Sequence, residues 1–188
     1  MAWWSLTWLM LDWHIGMLET QDGRARNLGP ADACTLARVW LVPAVGDTPA
    51  PWMCAAAFVS DGLDGRLARM GEPTRIGRDL EGLADWAFAA AALRGAVRRG
   101  WLGRAAGIGE LARLGAGLGY ALYVWFGSAA APDPRVLHAA RITTPVRAAG
   151  LVVAGRGHRR TADALVIGGA AWSAIAIGLA LARPRDHS

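Results

Sequence analysis

Apolar residues along this chain are gathered into long segments that short polar stretches separate. Six such segments follow one another at residues 33–47, 51–68, 78–98, 105–128, 138–155 and 161–182. A helix needs about 20 residues to cross roughly 30 Å of hydrocarbon, and most of the segments approach that length. The pattern predicts an all-α, polytopic membrane protein with about six transmembrane helices.

The N-terminal stretch, MAWWSLTWLMLDWHIGMLE, has a shorter apolar run that Asp12 and His14 interrupt. It lacks the basic start and the small-residue cleavage site of a signal peptide. Its composition is typical of an amphipathic helix at the membrane surface, where tryptophans act as anchors. The candidate anchors are Trp3, Trp4, Trp8 and Trp13. We therefore expect an interfacial and juxtamembrane segment at residues 1–30, followed by a transmembrane domain at residues 31–188.

Composition agrees with the membrane class, since 54% of the residues are hydrophobic and ten are Trp. All 20 basic residues are Arg, and the net charge is +5. Arginine also suits phosphates and lipid headgroups, and basic residues are not interleaved with aromatic ones as in RNA-binding modules, so we expect no nucleic-acid partner. Arginines are somewhat more frequent on the side of the N-terminus, which favours a cytoplasmic N-terminus.

One charged stretch, DGLDGRLARMGEPTRIGRDLEGLAD at residues 61–85, stands out in the apolar chain. Asp61 and Asp64 are three residues apart, and Glu81 and Asp85 are four apart, so each pair shares a helix face. Like charges at a membrane boundary need compensation, which Mg²⁺ or Mn²⁺ supplies while leaving positions for substrate phosphates. In the alternative interpretation, the acids pair in a solvated loop with the arginines at 66, 69, 75 and 78.

These residues carry a resemblance to a known family. Asp61, Asp64, Gly65, Ala68, Arg69, Gly77, Glu81 and Asp85 resemble the signature of the CDP-alcohol phosphotransferases, D-x2-D-G-x2-A-R-x8-G-x3-D-x3-D. The stretch TLARVWLVP at residues 35–43 is similar to the family's first helix. Two features depart from the pattern: seven residues separate Arg69 from Gly77, and Glu81 replaces the third aspartate.

The resemblance implies a membrane enzyme with six transmembrane helices, commonly dimeric, which joins a CDP-linked alcohol to a hydroxyl acceptor and releases CMP. It implies a metal site, with two Mg²⁺ or Mn²⁺ ions, at Asp61, Asp64, Glu81 and Asp85. It makes Asp85 the catalytic base that takes the acceptor's proton. It assigns CDP binding to Asp64, Gly65, Ala68, Arg69 and Gly77, with Arg69 on the diphosphate.

The acceptor is expected to contact the start of the fifth segment, at Arg141, Thr143, Thr144 and Arg147. Members of the family that use a phosphorylated acceptor carry basic residues in this part of the chain, which favours glycerol phosphate or inositol phosphate. In the alternative interpretation, these arginines extend to a headgroup boundary and bind no substrate.

The predicted function is transfer of a phosphatidyl or substituted phosphate group, with CDP-diacylglycerol as donor, in phospholipid biosynthesis. The predicted location is the cytoplasmic membrane, with the active site on the cytoplasmic side and with a homodimer as the assembly. Two other interpretations stay open: a catalytically silent relative that keeps the fold and binds nucleotide, and a cation-transporting helix bundle. The second gives no reason for Gly65, Ala68 and Arg69.

Overall fold

The computed structural model describes residues 2–13, 24, 29–70, 75–128 and 131–182. Within these ranges it describes side chains except at residues 6, 10–13, 64–70, 75–80, 125 and 128. The described residues form α-helices and one π-helical segment, and they include no β-strand. The helices are α1 (Ala2–Trp13), α2 (Pro30–Asp47), α3 (Pro51–Met70), α4 (Arg75–Arg98), α5 (Arg104–Leu122), α6 (Pro134–Gly155) and α7 (Arg159–Leu181), with the π-helical segment (Tyr123–Ser128) directly after α5.

Each predicted apolar segment coincides with one helix, and the all-α prediction is confirmed for the described residues. Several helices begin a few residues before the apolar pattern does, because the residues that start a helix are polar or proline. Pro30 and Pro134 occupy the first turns of α2 and α6, where a missing N–H costs nothing. The Asp133 side chain caps α6 by accepting a hydrogen bond from the backbone N–H of Arg135 at 2.8 Å.

Membrane crossing is supported by length and composition for one of the described helices, α7, which has 23 residues and a mean hydropathy of 2.1 in its most apolar window. The other predicted spans form helices but carry more charge or less apolar sequence. The number of six transmembrane helices therefore stays a prediction.

The chain divides into two compact units, of which the first covers residues 1–95. Here α2 packs against α3, and α4 approaches the end of α2 closely at Gly95. A Cβ atom at residue 95 would lie 2.7 Å from the carbonyl oxygen of Val45, so only glycine permits this approach. The close contact lets side chains of α2 reach α4.

The N-terminal helix α1 is attached to α2 through two indole groups. Trp3 donates a hydrogen bond from Nε1 to the carbonyl oxygen of Val39 at 2.9 Å, and Trp4 donates to that of Trp40 at 3.2 Å. The Val39 carbonyl would normally accept the N–H four residues later, but that residue is Pro43 and has none. Trp3 therefore satisfies a carbonyl that the proline leaves without its helical partner.

This attachment adds an internal contact for two of the four expected membrane anchors, whose role as anchors stays a prediction. Trp3 and Trp4 direct their N–H groups into the protein, whereas Trp8 is 75% exposed and available to a membrane interface. The side chain of Trp13 lies outside the described residues.

The second unit covers residues 96–188 and contains α5, α6 and α7. Helices α6 and α7 pack along each other, and α5 packs on α7. The start of α5 is held by Asp163 of α7, whose Oδ1 accepts a hydrogen bond from the backbone N–H of Gly103 at 2.7 Å. Small residues at the α6–α7 contact bring the helices together, with Ala154 and Ala162 fully buried.

Candidate active site

Three of the four predicted metal ligands have described side chains, and they lie on α3 and α4 of the first unit. Asp61 lies inside α3, which continues to Met70, and Glu81 and Asp85 lie inside α4. The Asp85 carboxylate has Asp61 and Glu81 as like-charged neighbours. The structure therefore brings together acids that are up to 24 positions apart in the sequence.

Arg38 of α2 lies beside this acidic group and is almost completely buried, with 2% of its surface exposed. Its Nε atom forms an ion pair with Oδ1 of Asp85 at 2.8 Å. Its Nη1 atom donates a hydrogen bond to Oγ of Ser60, the residue before Asp61, at 3.1 Å. One guanidinium thus contacts both helices that carry the acids.

The carboxylate oxygens of Asp61, Glu81 and Asp85 are the hard donors that Mg²⁺ and Mn²⁺ prefer. Among the described side chains, Asp61 and Glu81 lie near Asp85, and like-charged carboxylates in such proximity favour a compensating cation, so the donor chemistry fits a divalent metal ion. Among the residues whose side chains are described, no group of three His, Cys, Asp or Glu already has metal-binding geometry. The side chain of Asp64, the fourth predicted ligand, lies outside that part of the chain.

The residues assigned to CDP binding are placed by their backbone alone. Four of them, Asp64, Gly65, Ala68 and Arg69, belong to α3, and Gly77 belongs to the first turn of α4. Their side chains lie outside the described residues. The same holds for the side chains of the arginines at 66, 69, 75 and 78, which the solvated-loop interpretation pairs with the acids. Because α3 and α4 end and begin only at Met70 and Arg75, most of the motif is helical rather than part of a long loop.

The second unit contains another charged cluster, built around Glu110 of α5. Glu110 is 4% exposed. Its Oε1 atom accepts a hydrogen bond from Nε of Arg113 at 3.0 Å and another from Nη1 of Arg147 on α6. The Oε2 atom is buried and has no hydrogen-bond partner among the described residues. Two guanidinium groups against one carboxylate give this cluster an excess of positive charge.

Three of the four predicted acceptor-binding residues belong to the same network. Arg147 donates to Oγ1 of Thr144 at 3.0 Å and to the carbonyl oxygen of Thr143 at 3.1 Å. The Thr143 hydroxyl is buried and shares a 2.7 Å hydrogen bond with that of Ser173 on α7. Arg141, in contrast, is exposed, and no described contact joins it to the others.

Two residues that prediction missed, Arg38 and Glu110, are the buried centres of these two groups. Both could have been found by one signal, an ionisable residue within an apolar segment, because a desolvated charge requires a partner. Arg38 lies in TLARVWLVP, and Glu110 precedes Arg113 by three residues, a spacing that pairs side chains on a helix. Neither signal identifies the distant partner, Asp85 or Arg147.

The described residues define an all-α protein in which carboxylates of α3 and α4 lie close together beside a buried arginine. A family model described as CDP-alcohol phosphatidyltransferase matches residues 31–181. The chain belongs to this family. No curated protein and no solved structure matches the chain.

Family membership confirms the resemblance and identifies the chemistry in general terms. The protein belongs to a family of enzymes that transfer a substituted phosphate group from a CDP-alcohol to an alcohol acceptor. The family is generally integral to the membrane, in agreement with the apolar helix α7. The match begins at residue 31, and the boundary between the segment 1–30 and the domain 31–188 stays a prediction.

Proposed function

We propose that the protein is a metal-dependent enzyme of phospholipid synthesis that transfers the phosphatidyl group of CDP-diacylglycerol to a phosphorylated alcohol and releases CMP. The observation that carries the proposal is the group of acids that the motif places on α3 and α4, of which Asp85 forms an ion pair with the buried Arg38 of α2. An ordinary solvated charge run has no reason to bury an arginine at 2% exposure beside it.

In the proposed reaction, the acceptor hydroxyl oxygen forms a bond to the β-phosphorus of the CDP-alcohol. The bond from that phosphorus to the bridging oxygen breaks, and CMP leaves with the electron pair. Asp85 receives the hydroxyl proton, and Arg69 holds the diphosphate. Asp61, Asp64, Glu81 and Asp85 would hold the Mg²⁺ or Mn²⁺ ions, whose positive charge compensates the charge on the phosphates and the departing CMP.

For the acceptor, the proposal is an anionic alcohol such as glycerol phosphate or inositol phosphate. Its support is the charge of the Glu110 cluster, where Arg113 and Arg147 outnumber the single carboxylate. Arginine's planar fork binds phosphate oxygens well, and Thr144 adds a hydroxyl beside Arg147. Thr143 is engaged by Ser173 and is assigned to holding α6 on α7 rather than to substrate.

The remaining features of the proposal rest on the family resemblance and on sequence patterns. They are six transmembrane helices, a homodimer, and residence in the cytoplasmic membrane with the active site on the cytoplasmic side. The excess of arginine on the side of the N-terminus supports that orientation.

The proposal is tested with the purified full-length protein in lipid vesicles that contain CDP-diacylglycerol and Mn²⁺. CMP release is measured with glycerol phosphate, inositol phosphate, glycerol, inositol and serine as acceptors. We expect release with a phosphorylated acceptor, and a much smaller rate with its unphosphorylated counterpart. Faster release with an unphosphorylated alcohol would refute the anionic acceptor while preserving the transferase.

Failure of every acceptor to release CMP above an Asp61→Asn variant would refute the enzyme and favour the catalytically silent relative. Retained binding of a CDP-alcohol in that case would identify a nucleotide-binding protein. A gradient-driven cation flux in vesicles without nucleotide would instead support the transport interpretation.

A further inference from the structure

We infer that Arg38 is a positioning residue that holds the carboxylates of α3 and α4 in the arrangement that binds the divalent cation. The inference rests on the proposed metal site. It gives a role to a residue outside the motif, because Arg38 lies on α2 and the motif covers residues 61–85.

The first support is the burial of Arg38 together with its contacts. A guanidinium that is 98% removed from solvent requires polar or charged partners. Arg38 has hydrogen bonds with Thr35 on α2 at 3.5 Å and Ser60 on α3 at 3.1 Å, and an ion pair with Asp85 on α4 at 2.8 Å. The planar fork reaches these groups in different directions, which the single ammonium of lysine cannot do.

The second support is the identity of the groups that Arg38 touches. Asp85 is itself a proposed ligand, and Ser60 is the residue directly before another, Asp61. The Ser60 hydroxyl also donates to the carbonyl oxygen of Ala57 at 2.9 Å, so the contact is anchored to the α3 backbone. Arg38 therefore connects the two helix positions from which the acids converge.

The third support is the balance of charge. Asp61 and Glu81 are like-charged neighbours of Asp85, and Arg38 compensates that repulsion through its ion pair with Asp85. The pair restrains Asp85 close to its like-charged neighbours before a metal ion arrives. Residues that orient metal ligands from behind in this way typically change metal affinity or activity by about 10- to 100-fold when replaced.

The test uses Arg38→Lys, which keeps the positive charge and loses the fork. Mn²⁺ binding to the full-length protein in detergent is followed by the electron paramagnetic resonance signal of the free ion, and CMP release is measured in parallel. We expect Mn²⁺ affinity and turnover to fall about 10-fold or more, with the KM for the CDP-alcohol changed less than about twofold. The matched control is Arg159→Lys, which alters an exposed arginine of α7 that lies 3.7 Å from Asp163 and should behave as wild type.

The Mn²⁺ titration also separates positioning from a purely structural role. A structural role would reduce the number of sites along with the folded fraction and leave the dissociation constant of the remaining sites unchanged. Positioning changes the dissociation constant itself. A Lys variant with the wild-type dissociation constant would overturn the inference.

A second variant covers the case in which Arg38→Lys does not fold. Ser60→Ala keeps the charges of Arg38 and Asp85 and removes the contact of Arg38 with α3. We expect Mn²⁺ binding to weaken by about threefold, because Arg38 still holds Asp85. Unchanged Mn²⁺ affinity in this variant, or a wild-type protein that binds no Mn²⁺, would refute the inference. Mn²⁺ binding without CMP release would refute the proposed function and leave the role of Arg38 standing.

Discussion

Each unit of the molecule contains a group of arginine and carboxylate side chains around one buried residue, and the described members of the two groups differ in composition. In the first unit the buried residue is Arg38, which pairs with Asp85, and Asp61 and Glu81 lie near that carboxylate. In the second unit the buried residue is Glu110, which pairs with Arg113 and Arg147. Among the described side chains, acids therefore outnumber the arginine in the first group, and arginines outnumber the acid in the second.

The difference shows that the same two kinds of side chain can suit opposite ligands. A buried guanidinium among carboxylates supports the proposal of a cation at the first group, with Arg38 restraining the acids. A buried carboxylate between two arginines supports the proposal of an anion at the second group, with Glu110 restraining Arg113 and Arg147.

The largest expected effect follows from removing the negative charge of one acid in the first unit. Asp61→Asn should lower turnover about a thousandfold, because the carboxylate helps to hold the positive charge that stabilises the transition state. CMP release at saturating Mn²⁺ measures the loss. Asp133→Asn is the matched control, since asparagine caps a helix as well as aspartate does, and it should stay within about twofold of wild type. Equal losses in both variants would show that the acids of the first unit have no special role.

The next effect concerns Glu110, the buried carboxylate of the second unit. Glu110→Gln keeps the shape of the side chain but leaves Arg113 and Arg147 without a counter-charge in a buried position. We expect a loss of about 3 kcal/mol in the free energy of unfolding, which is typical of a broken buried pair. The measurement is unfolding in detergent, with Asp133→Asn as the control. Unchanged stability would mean that the two arginines do not depend on Glu110, and the restraining role given to the buried residue of this group would fail.

A third prediction concerns Glu81, the acid of the first unit that departs from the family pattern. Glu81→Gln should reduce turnover about a hundredfold if the carboxylate is a ligand, because the amide cannot replace its charge. Glu81→Asp moves the carboxylate by roughly one ångström and should keep turnover within about tenfold of wild type. CMP release compares both variants under the same conditions. Wild-type activity in Glu81→Gln would remove Glu81 from the site.

Sequence patterns were sufficient for the helices and for the acids but not for the residues that restrain them. The apolar segments predicted each helix because burial and helix formation follow the same local pattern. Asp61 and Asp85 were recognised from spacing within one stretch of the chain. The pairing of Arg38 with Asp85 and of Glu110 with Arg147 could not be predicted, because these partners lie 47 and 37 positions apart. Contacts over such distances depend on how the helices pack, which local periodicity does not contain.

The attachment of α1 shows the same limit, since the tryptophan pattern indicated a membrane surface and gave no sign of an internal acceptor. The partner of Trp3 is a carbonyl group, and carbonyl groups are present at every residue. Only Pro43 distinguishes Val39, by removing the N–H that would otherwise occupy its carbonyl oxygen. A proline inside a predicted helix therefore indicates where an unpaired carbonyl will need a donor, without naming the donor.

The smallest expected effect comes from this attachment, which ends at the residue next to Arg38 and so tests whether the first unit depends on α1. Trp3→Phe keeps the ring and loses the N–H, and we expect the attachment to weaken by about 1 kcal/mol, seen as roughly fivefold faster hydrogen exchange in α1. Trp8→Phe is the control, because Trp8 is 75% exposed. In a Pro43→Ala background, residue 43 regains its N–H and can satisfy Val39 within α2, so Trp3→Phe should become nearly neutral. Equal effects in both backgrounds would show that Trp3 holds α1 through ring packing alone.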